Sequence, residues 1–195
     1  MTEQKLKYIS IPDYLALEEQ SEEKHEYEAG QIKAMSGGTI NHGRIGTNMT
    51  VALANSLGNS DCEALHNDVR VWIEAASSFV YPDAMVVCGA IETAEPDEHS
   101  IINPTTVIEV LSECTEAYDR GDKLHKYALL PSLKEYILVD HTKPVVDTFY
   151  REAPGYWEVR PIIGLDKSIT LYSIGCEIPM KDIYQNVKEL EEPMF

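Results

Sequence analysis

Two carboxylates stand where an ordinary core sequence avoids them. Glu109 interrupts the apolar run Val107-Ile108-Glu109-Val110-Leu111, and Asp83 follows Tyr81-Pro82 and precedes Ala84-Met85-Val86-Val87. Strand side chains alternate between faces, so Glu109 is expected to share a face with Val107 and Leu111. An ionised carboxylate among apolar neighbours is costly unless it is paired, hydrogen-bonded or bound to a cation. A divalent ion shared by Asp83 and Glu109 from adjacent strands would offset that cost. A wet sheet end, or a Lys or Arg partner, would do so equally well.

Charge is distributed in keeping with a cation site. No Lys or Arg occurs between Arg70 and Arg120, a stretch that holds ten acids. Four of these, Glu92, Glu95, Asp97 and Glu98, fall in an expected exposed loop, where solvent accounts for them. Positive charge returns with Arg120, Lys123, Lys126 and Lys134. Asp119 and Lys123, and Asp122 and Lys126, are i, i+4 neighbours on a helix. They can form surface pairs, or Lys123 can face the carboxylates of the preceding strand.

The elements that must position these groups follow from periodicity. Ser10-Ile11-Pro12-Asp13 opens a capped helix running to about Glu19. A charged stretch covers Ser21 to Glu28, a short strand Gln31 to Met35, and a turn Ser36-Gly37-Gly38. Ile45, Met49, Ala52, Leu53 and Leu57 recur at helical spacing between Asn41 and Leu57. Strands are expected at 62–65, 69–73, 81–87 and 105–111, with an acidic loop at 89–103. A helix spans Glu116 to Leu130 and stops at Pro131. Strands at 136–139 and 145–150 follow, then shorter ones at 156–159 and 169–172. The order predicts an α/β or α+β domain, a mixed sheet flanked by helices, with additional C-terminal strands.

The chain has 195 residues, 16 Lys plus Arg against 33 Asp plus Glu, and a net charge of −17. One domain is expected over 1–195, with its core at about 11–184. The charge excludes a generally basic nucleic-acid coat and a polybasic membrane binder. No run is apolar enough to span a bilayer, and the first residues lack a signal-peptide core. Cys62, Cys88, Cys114 and Cys176 form no CxxC pair and are expected to be reduced thiols in a cytoplasmic protein. The six histidines show no HExxH spacing, which argues against a zinc hydrolase.

Tyr81-Pro82-Asp83, Val107 to Ser112, Thr115 to Lys123, Tyr127 and Glu135 to Asp140 together resemble the Uma-two family of restriction-endonuclease-like proteins, in the PD-(D/E)XK nuclease superfamily. Glu26 to Ile32 and Gly37 through His42 resemble its N-terminal pattern. The resemblance implies a restriction-endonuclease-like core and phosphodiester hydrolysis of DNA. It makes Asp83 and Glu109 ligands of Mg2+ or Mn2+, and matches Glu26 to an acidic residue on the first helix that adds a ligand. The superfamily lysine stands two residues after the glutamate. Leu111 occupies that place here, and Lys123 on the next helix is the match, set to assist the attacking water. His42, Lys126 and Arg120 would contact substrate, and the nuclease would act as a homodimer through edge strands 145–150 and 156–159. The competing reading is a catalytically inactive nuclease-fold module for binding or assembly.

Overall fold

A computed structural model describes residues 8–35 and 37–193. Ser36, the first residue of the expected turn, lies outside the described residues. The fold is mixed α/β, with two six-stranded mixed sheets rather than the single sheet expected. The first sheet runs β2 (Gln31–Ala34), β1 (His25–Glu28), β5 (Ser78–Val80), β4 (Arg70–Ile73), β8 (Asp97–Ile101), β7 (Thr93–Ala94). The second runs β12 (Tyr156–Ile163), β11 (Val145–Ala153), β10 (Glu135–Asp140), β9 (Thr106–Leu111), β6 (Ala84–Cys88), β3 (Cys62–His66). A ribbon of β13 (Ser168–Leu171) and β14 (Cys176–Pro179) follows.

Alternation along β9 sorts the second sheet into two faces. Ile108 and Val110 pack with Ile45, Met49, Leu53 and Leu57 of helix α2 (Ile40–Leu57). Val107 and Leu111 pack on the opposite face with Tyr127, Leu130 and Leu133, and with Val71 and Ile73 of the first sheet. The far side of the first sheet carries an aromatic cluster, Tyr14, Tyr27, Trp72 and Phe79, where Tyr14 comes from helix α1 (Ile11–Glu18). Ser10 caps α1 and Thr39 caps α2, each accepting a backbone N–H with its side-chain oxygen.

Several expectations are corrected. The charged stretch at 21–28 contains β1, because its two central residues, Glu26 and Tyr27, are buried. Residues 93–101 form the hairpin β7–β8 instead of a loop, with β8 parallel to β4 and Asp97 paired to Arg70 at 2.9 Å. The strand expected at 81–87 splits: Tyr81-Pro82-Asp83 crosses from β5 in the first sheet to β6 in the second. The helix after β9 is α3 (Glu116–Tyr118), a π turn (Asp119–Lys123) and α4 (Leu124–Tyr127), ending short of Leu130. Cys62 and Cys88 are not free thiols. The antiparallel β3–β6 register sets them opposite each other, Cα atoms 3.9 Å apart, and they form a disulfide. Cys114 and Cys176 are free. Residues 145–150 cannot pair between chains, because β11 lies between β10 and β12, whereas β12 is at one edge of its sheet. Among the described residues no helix is long and apolar enough to cross a membrane.

The Arg70–Asp97 pair gives a pH prediction. Burial works to raise the Asp97 carboxyl, but hydrogen bonds from Arg70 and Ser100 outweigh it and hold its pKa below the ordinary value. A carboxyl depressed in the folded state contributes stability above its unfolded pKa of about 3.9, and loses it as pH falls through the folded value. Asp97→Asn is therefore expected to cost the same stability in urea at pH 7 and pH 5.5. The cost should shrink as pH drops below 4. A constant difference down to pH 3 would contradict this assignment.

Candidate active site

Asp83, Glu109, Glu26 and Lys123 border one cleft of about 390 Å³ at the seam between the two sheets. Glu109 is supplied by β9 in the second sheet and Glu26 by β1 in the first. Asp83 sits on the crossing segment, so Glu26 is a strand residue and not the helix residue expected. The β6–β9 ladder closes at Ala84↔Ile108, and Asp83 stands one step beyond, opposite Glu109. There its Oδ2 accepts the Val110 N–H at 2.7 Å, extending the ladder with a side chain. Like charges facing across a strand pair repel, so this placement needs a compensating cation.

Lys123 supplies one. Its Nζ lies 2.9 Å from Glu109 Oε1, 3.1 Å from Glu26 Oε1 and 3.9 Å from Asp119 Oδ1, and it donates to the Tyr81 carbonyl at 3.3 Å. The π turn places Asp119 and Lys123 inward together, both buried. π turns are rare and concentrate at functional sites. Glu109 is 3% exposed, and its Oε1 meets the Lys123 ammonium at 2.9 Å.

Acids outnumber bases in this cluster, and the protonation follows. Burial pushes the Glu109 carboxyl well above the ordinary range; Lys123 opposes that shift, while Asp119 and Asp83 add to it. Burial works against the Lys123 charge, but Glu109 and Glu26 overcome it and hold its pKa above the ordinary lysine value. The carboxylates around it thus favour the ammonium form of Lys123.

His42, in the first turn of α2, faces Asp83 with Nε2 3.4 Å from Oδ2. Burial disfavours its charge, yet Asp83 outweighs that and raises its pKa. Two residues expected to contact substrate lie elsewhere. Arg120 pairs with Glu116 at 2.8 Å and with Asp147 at 2.7 Å. Lys126 is buried, pairing with Glu28 at 2.6 Å and donating to the Tyr118 hydroxyl at 3.1 Å. Neither lines the cleft. Asp119 and Tyr118 do line it, and neither is among the site residues expected from the sequence. For Asp119 the signal is its i, i+4 spacing to Lys123, which a surface pair explains equally well.

The comparisons bear on this geometry. The Uma2 family profile, described as "Putative restriction endonuclease", matches residues 11–180. The chain belongs to the Uma2 family. It is 36% identical over 179 residues to the uncharacterized Synechocystis protein slr1290, covering 92% of this chain and 93% of that one. The uncharacterized Synechocystis protein sll1609 is 29% identical over 163 residues, or 84% of this chain and 92% of that one. Among solved structures, "a putative nuclease belonging to DUF820" from Anabaena variabilis superposes with a TM-score of 0.72. At 19% identity it covers 90% of this chain and 97% of its own, so it shares the fold. Family membership makes this a restriction-endonuclease-like chain, and the matched span contains every residue of the cleft described above.

The donor set can be tested against a metal. Among the described residues, no three acidic, His or Cys side chains stand close enough to share one ion. The oxygens of Asp83 and Glu109 nevertheless have the chemistry of a hard divalent ion's ligands. Glu109 is buried and already meets the Lys123 ammonium at 2.9 Å, so an ion would share its carboxylate with that lysine. Asp83 and Glu109 would be the residues to hold such an ion.

Proposed function

We propose that this Uma2 chain is a Mg2+- or Mn2+-dependent DNA endonuclease. The observation that supports it best is the pair of carboxylates, buried Glu109 set opposite Asp83, in a cleft that also holds a buried ammonium. Asp83 and Glu109 would hold the ion, and Glu26 completes the charge around Lys123. Once bound, such an ion supplies Lewis-acid polarisation of the scissile phosphate and an acidified water. Lys123, as an ammonium, donates hydrogen bonds to the attacking water or to the phosphoryl oxygens where negative charge grows. Glu26 and the Tyr81 carbonyl orient its Nζ. His42 steadies Asp83 from the side of α2. A cytoplasmic homodimer, with β12 as its pairing edge, belongs to the same reading.

Two features favour the second reading, a catalytically inactive binding or assembly module. The net charge of −17 repels a duplex outside a focused groove, and Leu111 replaces the lysine two residues after the glutamate. Supercoiled plasmid distinguishes the two. The wild type should nick it with Mg2+ or Mn2+ and fail with EDTA. Wild-type protein that binds Mn2+ and leaves plasmid intact at every metal concentration supports the module instead.

A further inference from the structure

Tyr81 spends all of its hydrogen-bonding groups at the seam. Its backbone N–H donates to Glu26 Oε1 at 3.3 Å, and its carbonyl accepts from Lys123 at 3.3 Å. Its hydroxyl donates to Glu18 Oε1 at 2.9 Å and accepts from Arg70 at 3.3 Å. The ring is buried, at 5% exposure. Burial, against the lowering effect of Arg70 and with Glu18 adding to it, pushes the phenol up to about 12, so the hydroxyl keeps its proton at neutral pH.

The hydroxyl's partners are fixed in turn. Arg70 on β4 donates from its Nε to Asp97 at 2.9 Å and Ser100 at 3.0 Å. Glu18, the last residue of α1, accepts the His25 N–H at 3.0 Å at the start of β1. One phenol therefore ties α1, β1 and β4 to the segment that leaves the first sheet. Two residues on is Asp83, and the intervening Pro82 removes one source of backbone freedom.

We propose that Tyr81, held by Glu18 and Arg70, is a positioning residue that sets where Asp83 stands relative to Glu109, Glu26 and Lys123. The functional meaning of this lock rests on reading Asp83 and Glu109 as ion ligands. Its mechanical content does not, because Asp83 has a second, metal-free reporter. The β6–β9 ladder stops at Ala84↔Ile108, so the Val110 N–H depends on Asp83 Oδ2 for its acceptor.

Tyr81→Phe removes only the hydroxyl. Arg70 keeps Asp97 and Ser100, and Glu18 keeps His25, so neither is left unpaired. Glu18→Ala removes the acceptor, while Glu18→Gln keeps an oxygen in its place. Outer partners of metal ligands typically change affinity by about 10- to 100-fold. Titrated with Mn2+ by calorimetry, Tyr81→Phe and Glu18→Ala should bind about tenfold more weakly than wild type. Glu18→Gln should restore binding to within about threefold, and thermal midpoints in EDTA should stay close together. Hydrogen exchange of the Val110 amide, without metal, should quicken in Tyr81→Phe and Glu18→Ala but not in Glu18→Gln. Wild-type affinity together with wild-type Val110 exchange in Tyr81→Phe overturns the proposal. If wild-type protein takes no Mn2+, the endonuclease reading fails on its own. The lock then stands or falls on Val110 exchange, faster supporting it and unchanged overturning it.

Discussion

Replacing Asp83 by Asn is expected to lower metal-dependent plasmid nicking by about 10²- to 10³-fold without unfolding the protein. The magnitude follows from the several kcal/mol that a properly held divalent ion contributes, at 1.36 kcal/mol per tenfold in rate. Asparagine suits the experiment better than alanine. Its carbonyl oxygen can still accept the Val110 N–H, so the end of the β6–β9 ladder survives while the charge is lost. The side chain is 14% exposed, and water can solvate the new amide. Fluorescence-monitored urea unfolding would establish that the fold is retained, and gel quantitation of nicked plasmid would give the rate. Nicking by Asp83→Asn within about tenfold of wild type would remove Asp83 from the ion, and with it the two-carboxylate site.

The second large effect concerns stability. Lys123→Met is expected to destabilise the protein by about 3–5 kcal/mol, the usual result of breaking one side of a buried ion pair. The substitution fills a similar volume but leaves Glu109, Glu26 and Asp119 facing one another with no cation. Glu109 and Asp119, already raised by burial, then titrate further above their unfolded values. A group raised in the folded state loses its contribution as pH climbs through the folded pKa. The deficit should therefore be larger at pH 8 than at pH 5. Adding Glu109→Gln to Lys123→Met removes the most deeply buried charge and should recover more than half of the loss. Urea melts of the single and double variants at both pH values measure this. A single variant within about 1 kcal/mol of wild type at pH 8, a surface pair's worth, would show that Lys123 is not the buried counter-charge.

Much of this site was readable from residue order. Glu109 broke an apolar run, and an unexplained charge in a strand is informative because burial without a partner is costly. The α2 face was readable for a similar reason: four large apolar residues at fixed spacing admit one helix face. Four features were not readable. The His25–Glu28 segment has no apolar alternation, and Glu26 is buried there through Lys123 and Tyr81, which come from distant positions. Asp119 looked like half of a solvent-exposed i, i+4 pair, and its burial follows from the π turn beneath it. The Cys62–Cys88 bond depends on strand register, which spacing along the chain does not set. The division into two sheets, with Asp83 on the link between them, likewise depends on tertiary pairing.

The widened turn at Asp119–Lys123 has a consequence for how this chain tolerates changes in length. Each residue in an ordinary helix advances by about 100°, so deleting one residue here would swing the ammonium roughly a quarter-turn or more around the axis. The shortened segment would remain helical and could still cover Val107 and Leu111. Its positive end, however, would aim into the wrong quadrant, and Glu109 would be left among hydrocarbon with nothing to balance it. Point substitutions at Gly121 or Asp122 should therefore be milder than any single-codon loss in the same five positions.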